Sequence, residues 1–233
     1  MKVFIGYDAR EPEAYRVASW SLKRRASIPV TVTALDINRL ESSGLLRRPT
    51  DRRGRRYDIP SNANASTDFA ISRFLTPILA QEGWALFMDC DMVVLEDIAE
   101  ILKDVRDQPG RAMYCVMHNQ KAGLDTKMDG QLQLHYARKN WSSVMLFDCS
   151  HPANRRLSLL DVQERKGLDL HTFYWLADSE IGALHPSWNW LVGVQDKPEK
   201  PRIAHFTLGG PFLPDWHGGP DDDIWLKEAN HEA

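Results

Sequence analysis

Apolar residues along the chain fall into short runs separated by polar turns, and the period of the runs changes from one to the next. Lys2 to Gly6 is a short apolar run that ends at Tyr7-Asp8. After Arg10-Glu11-Pro12 the apolar positions Tyr15, Ala18 and Leu22 recur at helical spacing, and Pro12 suits a first helical turn, where its missing N–H would have no partner. Pro29 to Leu35 is rich in β-branched residues and reads as a second strand. Strand, helix and strand in that order predict a parallel sheet and an α/β fold.

Residues 36–65 show no period and read as a loop, in which Arg47, Arg48, Arg52, Arg53, Arg55 and Arg56 crowd together. Such a run is either a solvated charge cluster or a mobile flap that reaches phosphates. Ser66 or Thr67 can cap a helix whose stripe runs through Ala70, Ile71, Phe74, Leu75, Ile78 and Leu79. On that helix Arg73 projects away from the stripe, and Pro77 distorts the last turns. Trp84 to Met88 is continuously apolar, as a strand covered on both faces should be, and it stops at Asp89-Cys90-Asp91. Ile98, Ile101, Leu102 and Val105 predict a returning amphipathic helix. Further strands are expected over Arg111 to Met117 and Ser143 to Cys149, with a helix begun by Ser150 and Pro152.

Composition narrows the function classes. The chain has 233 residues, 43% hydrophobic and 26% charged, with a formal net charge of -3, which fits one globular domain without a basic footprint for nucleic acid. The domain is expected over 1–212, with 213–233 a tail packed on it. The opening apolar run is too short for a signal-peptide core and no stretch approaches a membrane span, so a cytoplasmic protein is expected. Cys90, Cys115 and Cys149 lack CxxC spacing and read as buried reduced thiols, and each of the eight Trp is weighed as core before ligand.

The candidate chemistry lies at Asp89 and Asp91. Residues two apart in an extended strand share a side, so both carboxylates point together at the carboxyl end of a buried strand, where α/β sheets collect ligands. Paired oxygen ligands suit a hard cation such as Mn2+ or Mg2+. His205 ends another predicted strand and can complete the metal shell, and Gly209 and Gly210 let the backbone approach phosphate oxygens.

Taken in order, these segments resemble the retaining glycosyltransferases of the glycogenin and lipopolysaccharide-galactosyltransferase group, glycosyltransferase family eight. SRFLTPILAQEGWALFMDCDMVVLEDIAEIL is similar to the family's Arg-bearing helix, hydrophobic strand and DxD. IGYD at 5–8 looks like its first strand, SSVML at 142–146 like its SGVML-type strand, and ADSEIG at 177–182 like its DQD segment. PSWNW resembles P-x-W-N-W, and HFTLGG at 205–210 resembles the terminal H-F-T-G element. The resemblance implies a GT-A fold, a single domain with a mostly parallel Rossmann-like sheet flanked by helices. It also implies a nucleotide-sugar donor, a UDP-sugar above all, with Mn2+ or Mg2+ and retention at the anomeric carbon.

By that resemblance Asp8 meets the base with Tyr7 beside it in the donor site, and Arg73 binds the donor. Asp89, Asp91 and His205 hold the metal, Asp89 also touching the donor, and Gly209 and Gly210 face the diphosphate. Asp178 and Glu180 sit near the anomeric carbon, unless they are helix-start caps. Lys121, Asp125, Lys127 and Asp129 either touch a glycan, lipid-linked or protein acceptor or lie in solvent. The chain departs from the family in having Trp141 where Asn is usual, with Asn140 one place earlier, Ser143 for Gly, Ser179 for Gln, and no Lys after the terminal element. A sugar nucleotidyltransferase is disfavoured because YDAREPEAYR, without glycine, follows the first strand. A module that binds nucleotide-sugar without turnover remains open.

Overall fold

A computed structural model of the chain describes residues 1–51, 56–118, 125–126, 132–133, 138 and 140–232, with backbone alone for 125–126, 132–133 and 232. The opening is the expected unit. β1 (Lys2–Tyr7) leads to α1 (Pro12–Arg25), with Pro12 in its first turn, and β2 (Thr31–Asp36) returns parallel to β1.

The region expected to be a loop is instead built. It contains α2 (Ile37–Ser42), capped by Asp36, and a small antiparallel sheet of two-residue strands, β3 (Thr50–Asp51), β4 (Tyr57–Asp58) and β5 (Ala63–Asn64). Arg48 explains the order. Its guanidinium is buried against Asp58 and donates to the carbonyls of Val162 at 3.0 Å and Arg165 at 2.7 Å. Arg48 is therefore a structural clip and not part of a phosphate flap, while Arg56 pairs with Glu41 at 2.9 Å. Arg52, Arg53 and Arg55 lie outside the described residues.

The segment expected to be one helix from Ser66 is a 3-10 turn, Ser72–Leu75, followed by α3 (Thr76–Ala80). Pro77 stands in the first turn of α3 and starts that helix, where it had been expected to distort a longer one. β6 (Trp84–Met88) has the predicted bounds, and β7 (Met92–Val94) follows the acids. A 3-10 turn at Ile98–Glu100 and α4 (Ile101–Asp104) form the returning helix, before β8 (Met113–Cys115).

Next come β9 (Asp125–Thr126), paired with β10 (Leu132–Gln133), and then β11 (Val144–Asp148). The element after β11 is a 3-10 turn, Pro152–Arg156, capped by the His151 ring. The chain ends with α5 (Leu159–Glu164), α6 (Gly167–His171), β12 (Ile181–Ala183), β13 (Trp190–Leu191), β14 (Ile203–His205) and α7 (Asp222–Glu232).

The central sheet runs β12-β8-β11-β6-β1-β2. β11 is antiparallel to both neighbours and the other pairings are parallel, so five strands point one way. A second sheet, β13-β14-β7, grows from the end of β6. The core fills both faces of the central sheet. Trp188 and Trp190 are fully buried in it, and so are the three cysteines, whose thiol pKa values burial raises, that of Cys149 to about 12. In the tail α7 packs on α1, where buried Glu228 meets Arg24 at 2.9 Å and Arg25 at 2.5 Å. No described helix is long and apolar enough to cross a membrane.

Candidate functional site

Two strands converge on one point. β6 delivers Asp89 at its carboxyl end, and β7 begins directly after Asp91. β14 pairs antiparallel with β7, His205 facing Met92, and Phe206 N–H donates to the Asp91 carbonyl at 2.8 Å. This register brings the imidazole to the acids: His205 Nε2 lies 3.3 Å from Asp91 Oδ1. One ligand atom from each of Asp89, Asp91 and His205 lies within 4.8 Å of the others, a spacing a single cation can bridge. Cys90 between them, in the bend that joins β6 to β7, is buried.

Neighbouring groups fix these ligands. Asn189, wholly buried, accepts from His205 Nδ1 at 2.9 Å, so Nδ1 carries the proton and the Nε2 lone pair faces the acids. The amide of Asn189 is oriented by donation to Ser143 Oγ at 2.7 Å and to the Asn140 carbonyl at 3.3 Å. Arg73 is buried, contrary to its expected outward projection, because the 3-10 turn at Ser72 rotates it inward. Its Nη1 meets Asp89 Oδ1 at 2.9 Å and the Ser142 carbonyl at 2.9 Å, while the guanidinium lies over Phe69 and Phe87. Arg73 thus offsets one of the two carboxylate charges. Two carboxylates and an imidazole, held this way, fit Mn2+ or Mg2+.

Two cavities flank the cluster. The larger, about 240 Å³, is walled by Arg10, Phe69, Asp91, Phe206, Gly209 and Leu213. The smaller, about 80 Å³, is polar, with Arg73, Asp89, Asn140, Ser142, His171 and His205 among its walls. Ser66, Thr67, Asp91 and Thr207 line both, so the two form one cleft across the metal ligands. Gly209 has φ +121, and a Cβ there would come within 2.9 Å of Leu213 Cδ1. Gly210 is buried behind it, against Phe212 and Phe206.

Asp8 lies under the cleft. It is wholly buried and accepts from Arg10 Nε at 2.9 Å and Nη2 at 2.5 Å, and from the N–H groups of Arg10 and Asp68. Burial alone would raise its pKa, but these hydrogen bonds and the Arg10 charge outweigh burial and hold it below the ordinary value. Arg10, not Asp8, reaches the cavity wall. Tyr7 packs edge-on against Tyr15, with centroids 5.4 Å apart, and is not among the cleft-lining residues.

Asp178 and Glu180 stand elsewhere. They precede β12, whose direction matches that of β6, so they sit at the opposite edge of the sheet from Asp89. Strand register and spacing put them roughly 20 Å from it. Asp178 is largely exposed and pairs with Arg138, while Glu180 accepts from Ala177 N–H at 2.8 Å and pairs with Arg156. Glu180 is thus the cap that its position in a first turn allows. Lys121, Lys127 and Asp129 lie outside the described residues, as does the Asp125 side chain. Sequence reasoning missed Asn189, Ser142 and His171 as site residues, although the first two lie in PSWNW and SSVML, segments already singled out by the resemblance.

No family model matches the chain. The galactosyltransferase LgtC, solved with donor and acceptor sugar analogs, superposes with a TM-score of 0.60 at 15% identity, over 99% of this chain and 96% of that one. The glycosyltransferase GlyE of Streptococcus pneumoniae TIGR4 gives a TM-score of 0.60 at 14% identity over 98% of this chain, which spans 59% of GlyE. These likenesses establish a GT-A fold. Protein CDI of Arabidopsis thaliana is 41% identical, over 97% of this chain and 85% of that protein. On that extended identity, the chain belongs to the family of Protein CDI.

Proposed function

We propose that the chain is a metal-dependent glycosyltransferase that moves a sugar from a UDP-sugar to a glycan, lipid-linked or protein acceptor. The observation that carries this reading is the convergence of Asp89, Asp91 and His205 at the carboxyl end of β6, inside a two-part cleft. The larger part, with its apolar Phe69, Phe206 and Leu213 walls, suits a nucleoside; the smaller polar part suits a sugar.

Asp89, Asp91 and His205 would hold Mn2+ or Mg2+, which when bound supplies charge neutralisation for a diphosphate leaving group. Arg73 holds the Asp89 carboxylate in place, and Asn189 holds the His205 tautomer. Gly209, with no side chain, allows close backbone approach to phosphate oxygens. Retention of anomeric configuration follows from the resemblance to glycosyltransferase family eight.

The test is UDP release from UDP-glucose and UDP-galactose, with and without acceptor sugars, in Mn2+ and then in EDTA. Release that needs the metal, and a product whose anomeric proton coupling matches that of the donor, are expected. Donor binding with neither transfer nor hydrolysis would overturn catalysis in favour of a binding module. Pyrophosphate formed from UTP and a sugar phosphate would point to a nucleotidyltransferase.

A further inference from the structure

The two edges of the central sheet differ. At β12 the Gln108 side chain donates to the Ala183 carbonyl at 2.7 Å and accepts from the Ala183 N–H at 3.0 Å, so that edge is closed. At the other edge β2 has no strand neighbour among the described residues except β1. Thr31 N–H donates to the Met1 carbonyl at 3.1 Å, toward β1, and the unbroken register turns Thr33 and Leu35 the same way. Val32 and Ala34 therefore present their N–H and C=O groups outward.

Natural sheet edges are blunted by charge, proline, a bulge or a covering element. From Thr31 to Leu35 β2 is uncharged, contains no proline and pairs without a bulge. It is not covered either. A hollow of about 730 Å³ is lined by all five of these residues. Consecutive strand residues point to opposite faces, so the hollow follows the outer edge of β2 and not one face of the sheet. Tyr15, Leu40, Leu45 and Leu79 give it apolar walls for a strand laid there.

The edge fits its own copy. An antiparallel pair about a two-fold axis at Thr33 lets Val32 of each copy exchange both backbone bonds with Ala34 of the other, while the two Thr33 side chains meet on the axis. The charges at the strand ends agree with this register. It lays the carboxyl end of one β2 beside the amino end of the other and brings Arg39, its side chain 85% exposed, toward Ser27 of the second copy. Ser27 N–H is held by Asp97 at 3.1 Å, and Glu96 is exposed beside it. The symmetry sets a cation against acids at both ends.

We propose that β2 is a self-association surface, pairing antiparallel with β2 of a second copy of this chain around Thr33 and joining two central sheets into one. Reversed strand direction sets the two clefts at opposite ends of the joined sheet. Neither is covered, so the pairing does not depend on what the clefts bind.

Sedimentation of the full chain at roughly 100 μM should give the mass of two 26.7 kDa chains, and dilution should restore one. Thr33→Lys changes an exposed position, sets like charges on the axis and should loosen the pair by at least about tenfold. Oxidation with copper phenanthroline reads the register. Thr33→Cys brings two Cα atoms to about 4.5 Å, within disulfide reach, while the native cysteines are buried. Thr31→Cys, roughly 14 Å from its copy by strand spacing, should cross-link at least about tenfold more slowly.

A wild-type chain that stays a monomer at that concentration, a Thr33→Lys variant that associates as the wild type does, or Thr31→Cys cross-linking as fast as Thr33→Cys would overturn the proposal.

Discussion

Replacing Asn189 by Leu separates metal binding from folding. The two residues are similar in size, so the change removes polar atoms and leaves little void. It deletes the acceptor 2.9 Å from His205 Nδ1 and the donor 2.7 Å from Ser143 Oγ, both in a wholly buried place. The Ser143 hydroxyl keeps its bond to the Asn140 carbonyl at 2.7 Å, so the His205 Nδ1–H is the buried group left without a partner, and the variant should lose about 1–3 kcal/mol of unfolding free energy. For a chain of this size that is a fall of roughly 2–12 °C in Tm.

The imidazole, no longer held, should also bind metal about 10- to 100-fold more weakly, the usual effect of removing an outer partner of a ligating histidine. Asn189→Asp keeps an acceptor for Nδ1–H and should retain metal affinity within a few fold. Calorimetric titration with Mn2+ at a temperature where every variant is folded reads this directly. A Leu variant that binds Mn2+ as the wild type does would refute the role given to Asn189.

Asp178→Ala and Glu180→Ala should leave donor turnover within about twofold of wild type, since both acids stand roughly 20 Å from Asp89 by strand spacing; a hundredfold loss in UDP release would contradict their placement. Asp8→Asn should destabilise the chain near neutrality, and the gap to wild type should narrow as pH falls below the ordinary carboxyl value of 3.8. The reason is that a lowered pKa stabilises the fold only while the group is ionised, and is lost as pH falls through the folded-state value. Urea unfolding at several pH values checks this, and a gap constant from pH 7 to pH 2 would refute it. Gly209→Ala forces a side chain onto φ +121 and against Leu213, so it should cost about 1–3 kcal/mol and weaken nucleotide binding; an unchanged urea midpoint would refute the strain.

What was legible in the sequence had local causes. β6 and its two acids were read because a strand covered on both faces is continuously apolar, and β1-α1-β2 because its periods and Pro12 are local signals. Residues 36–65 gave no period because strands of two residues have none, and the Arg48 clip that orders them reaches Val162 and Arg165, far along the chain. Arg73 was turned outward by assuming 3.6 residues per turn, whereas the segment is a 3-10 turn with a helix restarting at Thr76.

Asp178 and Glu180 kept the right order among the motifs. Their edge of the sheet, however, depends on β12 running parallel to β8, a pairing no local pattern announces. His171 reached the cleft with no signal at all, because a lone histidine in an irregular stretch is indistinguishable from one in the core.

In the proposed function Asp89, Asp91 and His205, whose ligand atoms lie within 4.8 Å of one another, bind a metal that in turn binds a nucleoside diphosphate. Titration of wild type and Asp91→Ala with UDP, each in Mn2+ and in EDTA, puts that pairing to the test. Wild-type binding that requires Mn2+, lost in Asp91→Ala while the variant's circular dichroism and melting stay native, is the predicted result. UDP binding of equal strength with and without Mn2+, or unchanged by Asp91→Ala, would contradict it.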